Sequence, residues 1–344
     1  MRSFRTPAAA GLCCLFALAT SACSGQGDAA PTVPAGPGTS SAAGAGTPPP
    51  SAGGTSFAPY VQTGEASAAD SAGSPTTYNL AFVVADGEDC VPRWDGSHPL
   101  GDPGVASRIA KLKEGGGRVR VSFGGATGRE LAATCDSAPE LAAAYGKALD
   151  VAGTDLADFD IEGDDLRDSA STALRSQAIA RLQKERPGLK VSFTLPVMPK
   201  GLGKHSLALL ASANDHAVRV STVNLMTMNY GSKYDGDMGD YALAAAEAAH
   251  AQLQKTFRTS ATTAWRGMAL TPMIGVNDVE GETFTLADAA EVRAFAEEKG
   301  IAWVSMWSTA RDRQCPDGTD TTKAPTRCSG VAQRPGAFGK ALAG

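Results

Sequence analysis

Asp155-Leu156-Ala157-Asp158-Phe159-Asp160-Ile161-Glu162-Gly163 is the stretch whose periodicity is hardest to mistake. From Asp158 to Glu162, carboxylates and apolar residues alternate one for one. Period two belongs to a strand, so Asp158, Asp160 and Glu162 share one face while Phe159 and Ile161 share the other. A solvated acidic loop has no reason to alternate in this way. The apolar face needs covering elements. The acidic face is costly as three charges in an interior, and neighbouring carboxylates respond by sharing protons, which raises at least one pKa. A carboxyl raised in this way can act as a general acid near neutral pH.

Outward from this strand the pattern repeats. Short runs rich in Val, Ile and aromatics occur at Phe57–Val61, Asn79–Ala85, Arg118–Phe123, Leu156–Ile161, Lys190–Thr194, Thr222–Met228, Gly267–Met273 and Trp303–Trp307. Between them, Glu140–Val151, Thr172–Glu185, Tyr241–Lys255 and Leu286–Lys299 carry apolar residues at helical spacing with few breakers. Strand–helix alternation predicts a parallel sheet. Eight repeats in under 300 residues predict one closed (β/α)8 TIM barrel forming a single catalytic domain over 57–344. A doubly wound open sheet is the alternative. It is disfavoured because no G-x-G-x-x-G opens the first helix. In a barrel, reactive residues stand at the C-terminal ends of the strands.

The chain ahead of the barrel reads differently. Residues 1–23 combine Arg2 and Arg5, an apolar run from Gly11 to Ala19 and small residues, the signature of a secretory signal. The run is too short to span a bilayer of about 30 Å. Leu18 to Cys23 is similar to a bacterial lipobox, with Thr20 where Leu is usual, so Cys23 is expected to be lipidated and the protein to be secreted or anchored at the cell surface. Residues 24–56 are rich in Pro, Gly, Ala and Ser, with Asp28 as the one charge and no aromatic. Such a segment cannot offset its ordering entropy and reads as a tether.

Of the 344 residues, 43% are hydrophobic and 19% charged, which excludes wholesale disorder. The net charge of −5 leaves no basic surplus to neutralise phosphates, so no nucleic-acid partner is expected. Processing at Cys23 leaves Cys90, Cys135, Cys315 and Cys328. An even number in an exported protein suggests disulfides, and four cysteines allow three pairings. Cys315 and Cys328 enclose a Pro-, Gly- and Thr-rich stretch and are expected to pair locally, with Cys90–Cys135 following by elimination. The spacings do not resemble a zinc site, and neither a metal nor an organic cofactor is expected.

The spacing D-x-x-D-x-D-x-E resembles the signature of the family 18 glycoside hydrolases, which include chitinases. Ser122-Phe123-Gly124-Gly125 is similar to the family's S-x-G-G at the end of the third strand, Met226 to Tyr230 resembles its sixth-strand element, and Trp307 stands where the family keeps a Trp under the reacting sugar. Met306 to Asp312 and Cys328 to Gln333 look like the bacterial subgroup lacking a large inserted α+β domain. The resemblance implies retention of configuration by substrate-assisted catalysis. Glu162 would then be the acid, Asp160 would orient the 2-acetamido group, and Asp158 would be the buried partner sharing Asp160's proton. Asp160 and Glu162 lie only about 6.6 Å apart along one strand and approach a sugar from similar sides, which suits a nucleophile supplied by the substrate. Tyr230, on another strand, would donate to the acetamido carbonyl.

Supporting residues have smaller expected parts. Gly124 and Gly125 leave room beside the acidic strand, and Ser122 shares the face of Gly124. Met228 packs the barrel or touches sugar. Trp307 stacks on a pyranose ring, Trp303 is core, and Trp94 and Tyr60 line further subsites. Asn229 departs from the family's Asp and removes one negative charge near the site. Asp155 braces the strand entrance. The four histidines do not cluster. The expected function is cleavage of β-1,4-linked N-acetylglucosamine polymers by a monomer, with chitin or its oligosaccharides as partner. An endo-β-N-acetylglucosaminidase acting on glycoprotein glycans and a non-catalytic sugar-binding protein are the alternatives. The second of these usually lacks the terminal Glu of the motif, which is present here.

Overall fold

The computed structural model describes residues 54–344. The export signal, Cys23 and nearly all of the tether lie outside the described residues. Packing against the barrel is already present just before the expected boundary at 57: Thr55 is buried with its hydroxyl donating to Ala296 O, and Ser56 pairs with Trp303.

Eight parallel strands form the (β/α)8 barrel. β1 comes in two pieces, Ser56–Phe57 and Tyr60–Gln62. β2 is Thr77–Asp86, β3 Arg118–Gly124, β4 Leu156–Asp160 and β5 Lys190–Met198. β6 is Val220–Met226, β7 Met268–Thr271 and β8 Trp303–Val304. Pro59 divides β1 because it has no N–H to give the ladder. The first piece pairs with β8 (Phe57 opposite Val304) and the second with β2 (Tyr60 opposite Asn79), so the break is what closes the barrel.

Helices α1 (Pro103–Lys113), α2 (Ala138–Ala152), α3 (Ser169–Glu185) and α4 (Lys204–Asp215) follow β2 to β5. α5 (Met238–Phe257) and the short α6 (Ala261–Arg266) follow β6, α7 (Leu286–Lys299) follows β7, and α8 (Ala337–Ala343) closes the chain. Local chemistry sets their ends. Ser137 caps α2 by accepting from Glu140 N–H, and Thr285 with Asp288 forms a capping box on α7. The expected alternation fails once: no α-helix lies between β1 and β2, where the chain crosses in turns.

Register sorts the two faces. Phe123, Phe159 and Phe193 stand side by side on β3, β4 and β5. They face the helices, with the Phe159 ring 5.2 Å from Phe123 and 5.0 Å from Tyr145 of α2. Ser122, Asp158 and Ser192 form the next row, and Gly124, Asp160 and Thr194 the row above. These face the barrel axis. Barrel interiors are usually filled by Val, Ile and Leu. Here the buried interior includes Asn79, Arg120, Ser122, Asp158, Ser192, Thr194, Asn224 and Thr271, an arrangement stable only because its members bond one another.

Both expected disulfides are present, Cys90–Cys135 joining the hairpin strand Asp89–Trp94 to the segment before α2, and Cys315–Cys328 closing a loop after β8. No helix among the described residues is long and apolar enough to cross a membrane.

Candidate active site

Asp158 is the deepest of the three carboxylates, 1% exposed. Its Oδ1 accepts from Ser192 Oγ (2.6 Å) and Thr194 Oγ1 (2.9 Å), and its Oδ2 from Ser122 Oγ (2.6 Å) and Tyr60 OH (2.9 Å). Asn224 extends the network by donating to Thr194 Oγ1 at 3.0 Å and accepting from Thr271 Oγ1 at 2.8 Å. Four hydroxyls from three other strands thus converge on one carboxylate. Tyr60, 1% exposed, lines the cavity with part of its ring and also braces Asp158 with its hydroxyl. Asp158 thus meets hydroxyl donors on both oxygens, next to Asp160 in the row above.

Asp160 is nearly as buried but has no such company: its Oδ1 meets no hydrogen-bond partner. Burial first, then the charges of Glu162 and Asp158, push its carboxyl well above the ordinary aspartate range. Glu162 is half-buried, just past the end of β4. Desolvation, and then the charge of Asp278, raises its pKa as well.

The glycines next to this strand are there for space. Gly124 has φ +96°, and a Cβ on it would lie 2.2 Å from Asp160 O. Gly125 has φ +91°, donates its N–H to Asp160 O at 2.9 Å, and a Cβ on it would meet the Phe82 ring. Only glycine satisfies both the dihedral and the contact.

Asp160 and Glu162 open on a cavity of about 540 Å³ at the C-terminal end of the barrel. Trp307 lines it, its ring stacked on Phe82 with centroids 5.4 Å apart and edge-on to Tyr60 at 5.9 Å. Met226, Met228, Asn229 and Thr194 also line it. Trp94, expected at a subsite, is fully buried with its Nε1–H donating to Leu100 O, and belongs to the core. Trp303 is core as expected, with the Arg120 guanidinium 4.1 Å above its ring. Asp155 lies at the opposite end of β4, exposed and 3.5 Å from Arg186, with its carbonyl accepting from Lys190 N.

Tyr230 is not among the cavity-lining residues. Period-two alternation brings Met226 and Met228 to the cavity, but β6 ends at Met226, and Asn229 takes φ +55°, which turns the chain. Tyr230 is then carried into a cluster with Tyr234 and Tyr241, centroids 5.9 and 6.0 Å away. Its hydroxyl is buried without a partner, and burial, with the charge of Glu282, raises its pKa.

Asp278 was not singled out from sequence, yet it lines the cavity. Asn229 clips it twice, Nδ2 donating to Asp278 Oδ2 and Oδ1 accepting from Asp278 N, both at 3.0 Å. The signal available was its place shortly after the seventh strand, at the barrel end where reactive groups gather. Phe82, inside β2, also lines the cavity.

No protein-family model matches the chain. It is similar to a probable bifunctional chitinase/lysozyme of Escherichia coli (strain K12), 34% identical over 283 residues, which are 77% of this chain and 31% of that protein. It is also similar to Endochitinase 11 of Metarhizium anisopliae, 33% identical over 248 residues, 68% of this chain and 47% of that one. The chain therefore spans about a third to a half of the length of these curated relatives. Among solved structures, the catalytic domain of a hyperthermophilic chitinase from Pyrococcus furiosus superposes with a TM-score of 0.74 at 30% identity, covering 84% of this chain and 94% of that one. The C-terminal domain of ChiA from Legionella pneumophila, at 14% identity and a TM-score of 0.52, shares the fold over 74% of this chain and 92% of that one.

Proposed function

The chain belongs to the chitinases of glycoside hydrolase family 18, and on that premise we propose that it hydrolyses β-1,4 links between N-acetylglucosamine units of chitin, retaining configuration. The observation that carries this reading is the pair Asp160 and Glu162, opening on one cavity with Trp307 and no Lys or Arg in its lining. In this reading Glu162, whose pKa desolvation and the charge of Asp278 raise, delivers a proton to the glycosidic oxygen. Asp160 orients the substrate's 2-acetamido group, whose oxygen closes on the anomeric carbon, and offsets the positive charge that develops there. Asp158 and its four hydroxyls hold Asp160 in register, and Trp307 gives the sugar an apolar platform.

Glu65, Asp95, Asp160, Glu162 and Asp278 make the lining acidic. A neutral N-acetylglucosamine polymer fits it better than a glycan bearing carboxylates. The subgroup without a large inserted domain is supported by the connections between barrel elements, which among the described residues hold small hairpins such as Gly275–Val276 with Thr283–Phe284, single 3-10 turns and the Cys315–Cys328 loop. Export is supported by the first 23 residues and by two disulfides, which persist in oxidising compartments. A lipid anchor at Cys23 and a monomeric state complete the proposal.

The deciding experiment is product analysis on chitin oligomers beside a high-mannose glycoprotein, with the anomer of the first product read by NMR. Cleaved oligomers with β-anomeric products support the proposal. Glycan release alone would place the chain with the endo-β-N-acetylglucosaminidases, and binding without cleavage of either would make it a sugar-binding protein.

A further inference from the structure

Arg311 lies shortly after β8, 2% exposed, and the carboxylate whose charge acts on it is Asp278. Burial lowers its pKa to about 10. Its two terminal nitrogens are spent on backbone carbonyls, while the buried Nε has no partner: Nη2 donates to Ile274 O at 3.0 Å and to Val276 O at 2.6 Å, and Nη1 donates to Pro325 O. A buried cation is expensive unless its donors are met. A planar fork that joins three carbonyls from two segments is a task for arginine rather than lysine.

The two segments are the exit from β7 and the loop closed by Cys315–Cys328. They are fastened again beside Arg311. Val276 N–H donates to Ser329 O at 2.7 Å, and Gly275, at φ +76°, passes so close that a Cβ would lie 1.9 Å from the same oxygen. Asn277 ties the exit to itself by donating to Met273 O and Gly275 O. The next residue is Asp278, exposed at the cavity rim beside Glu162.

We propose that Arg311 is a positioning residue for the reaction: by joining the carbonyls of Ile274, Val276 and Pro325 it sets where the Asp278 carboxylate stands against Glu162. This rests on the reading of Glu162 as the general acid. The charged groups around Glu162 are Asp160 on its own strand, Asp158 below it, Asp278 beyond β7, Arg311 behind Asp278, and Glu65, Asp95 and His98 elsewhere in the cavity wall.

The test is Arg311→Lys, alone and in an Asp278→Asn background, compared at matched folded fraction. Lysine keeps the cation but cannot span the three carbonyls. Asp278 then drifts, Glu162 loses a negative neighbour and its pKa falls. The alkaline limb of kcat/KM should move to lower pH, with kcat/KM down about 10-fold, since small misplacements of reacting groups cost that much or more. In the Asp278→Asn background the same substitution should add no further pH shift. No shift, an upward shift, or an equal shift in both backgrounds would overturn the proposal. A carbon-13 NMR titration of the Glu162 carboxyl reads the same change without turnover. If the unmodified protein cleaves no chitin, the functional reading falls while this measurement still decides the role of Arg311.

Discussion

Two buried carboxylate centres lie close together in this barrel and differ in almost every other respect. Glu130 is 1% exposed, and each of its oxygens is met: Tyr145 OH donates to Oε1 at 2.5 Å, while Arg175 Nη2 (2.6 Å), Arg175 Nε (3.0 Å) and Ala132 N (2.9 Å) donate to Oε2. Arg175 is as buried as Glu130, and although burial lowers its pKa, Glu130 more than offsets that. Asp160, 5% exposed, has neither a cation nor a hydrogen bond on Oδ1 and faces two further carboxylates. A buried carboxylate whose two oxygens both have partners is architecture, although Nη1 of its cation Arg175 has none. A carboxylate buried without such partners is a destabilised charge, which a fold retains where chemistry uses it.

The largest effect comes from breaking the satisfied centre. Glu130→Gln leaves Arg175 charged, buried and unpaired, a loss of typically about 3–5 kcal/mol. Denaturant unfolding should show the drop, while turnover per folded molecule changes far less than in any substitution at Glu162. A variant as stable as the parent would mean that Arg175 is hydrated rather than paired, and the contrast between the centres would collapse.

Next is Glu162→Gln, which keeps the shape of the acid and removes its transferable proton. Cleavage of chitin oligomers should fall at least about 100-fold, about 2.7 kcal/mol in the barrier, with oligomer binding retained, as isothermal calorimetry would show. Near-normal cleavage would remove Glu162 from the reaction.

Asp160→Asn separates the two centres by sign. A folded Asp160 holds its proton more tightly than an unfolded aspartate, near pH 3.9. Above that pH the folded state binds more protons than the unfolded one, and stability falls as pH rises toward the raised folded value. Asparagine removes the ionisation, so the variant should be more stable than the parent at neutral pH, lose that advantage below about pH 4, and cleave poorly. Glu130→Gln, by contrast, is destabilising because it leaves Arg175 unpaired. Thermal melts across pH test the Asp160 variant, and a destabilised Asp160→Asn would show that the charge is welcome in the folded protein.

What could be read from sequence follows from range. The eight strands are legible as short apolar runs and the carboxylate row as a local pattern of period two, and the structure keeps both. The partners of those residues are not local. Tyr60 and Asp158 are 98 residues apart and Glu130 and Arg175 are 45 apart, so sequence alone shows neither that the tyrosine lining the cavity also braces Asp158 nor that the second centre exists. Tyr230 is outside the cavity lining for a different reason: period-two alternation predicts it beside Met228, but β6 ends at Met226 and Asn229 takes a positive φ. The polar barrel interior is half legible: Ser122 and Asp158 are on the expected face, but only register across β3, β4 and β5 shows that Ser192 completes their row and Thr194 the row above.

The smallest expected effect tests how firmly the exposed rim of the unsatisfied centre is held. Asn229 gives Asp278 a donor from Nδ2 and an acceptor at Oδ1. Asn229→Asp keeps the acceptor, tolerates the positive φ nearly as well, and sets a second carboxylate against Asp278. The lost hydrogen bond is worth about 1 kcal/mol, and both residues are exposed, so water and salt screen the repulsion. If Arg311 holds the β7 exit, Asp278 stays in place and the added negative charge raises the Glu162 carboxyl further. The alkaline limb of kcat/KM should then move to slightly higher pH, by an amount that shrinks as salt is added. A move to lower pH would mean that Asp278 has swung away from Glu162. The clip from Asn229, rather than the carbonyl bridge of Arg311, would then be what sets the position of Asp278.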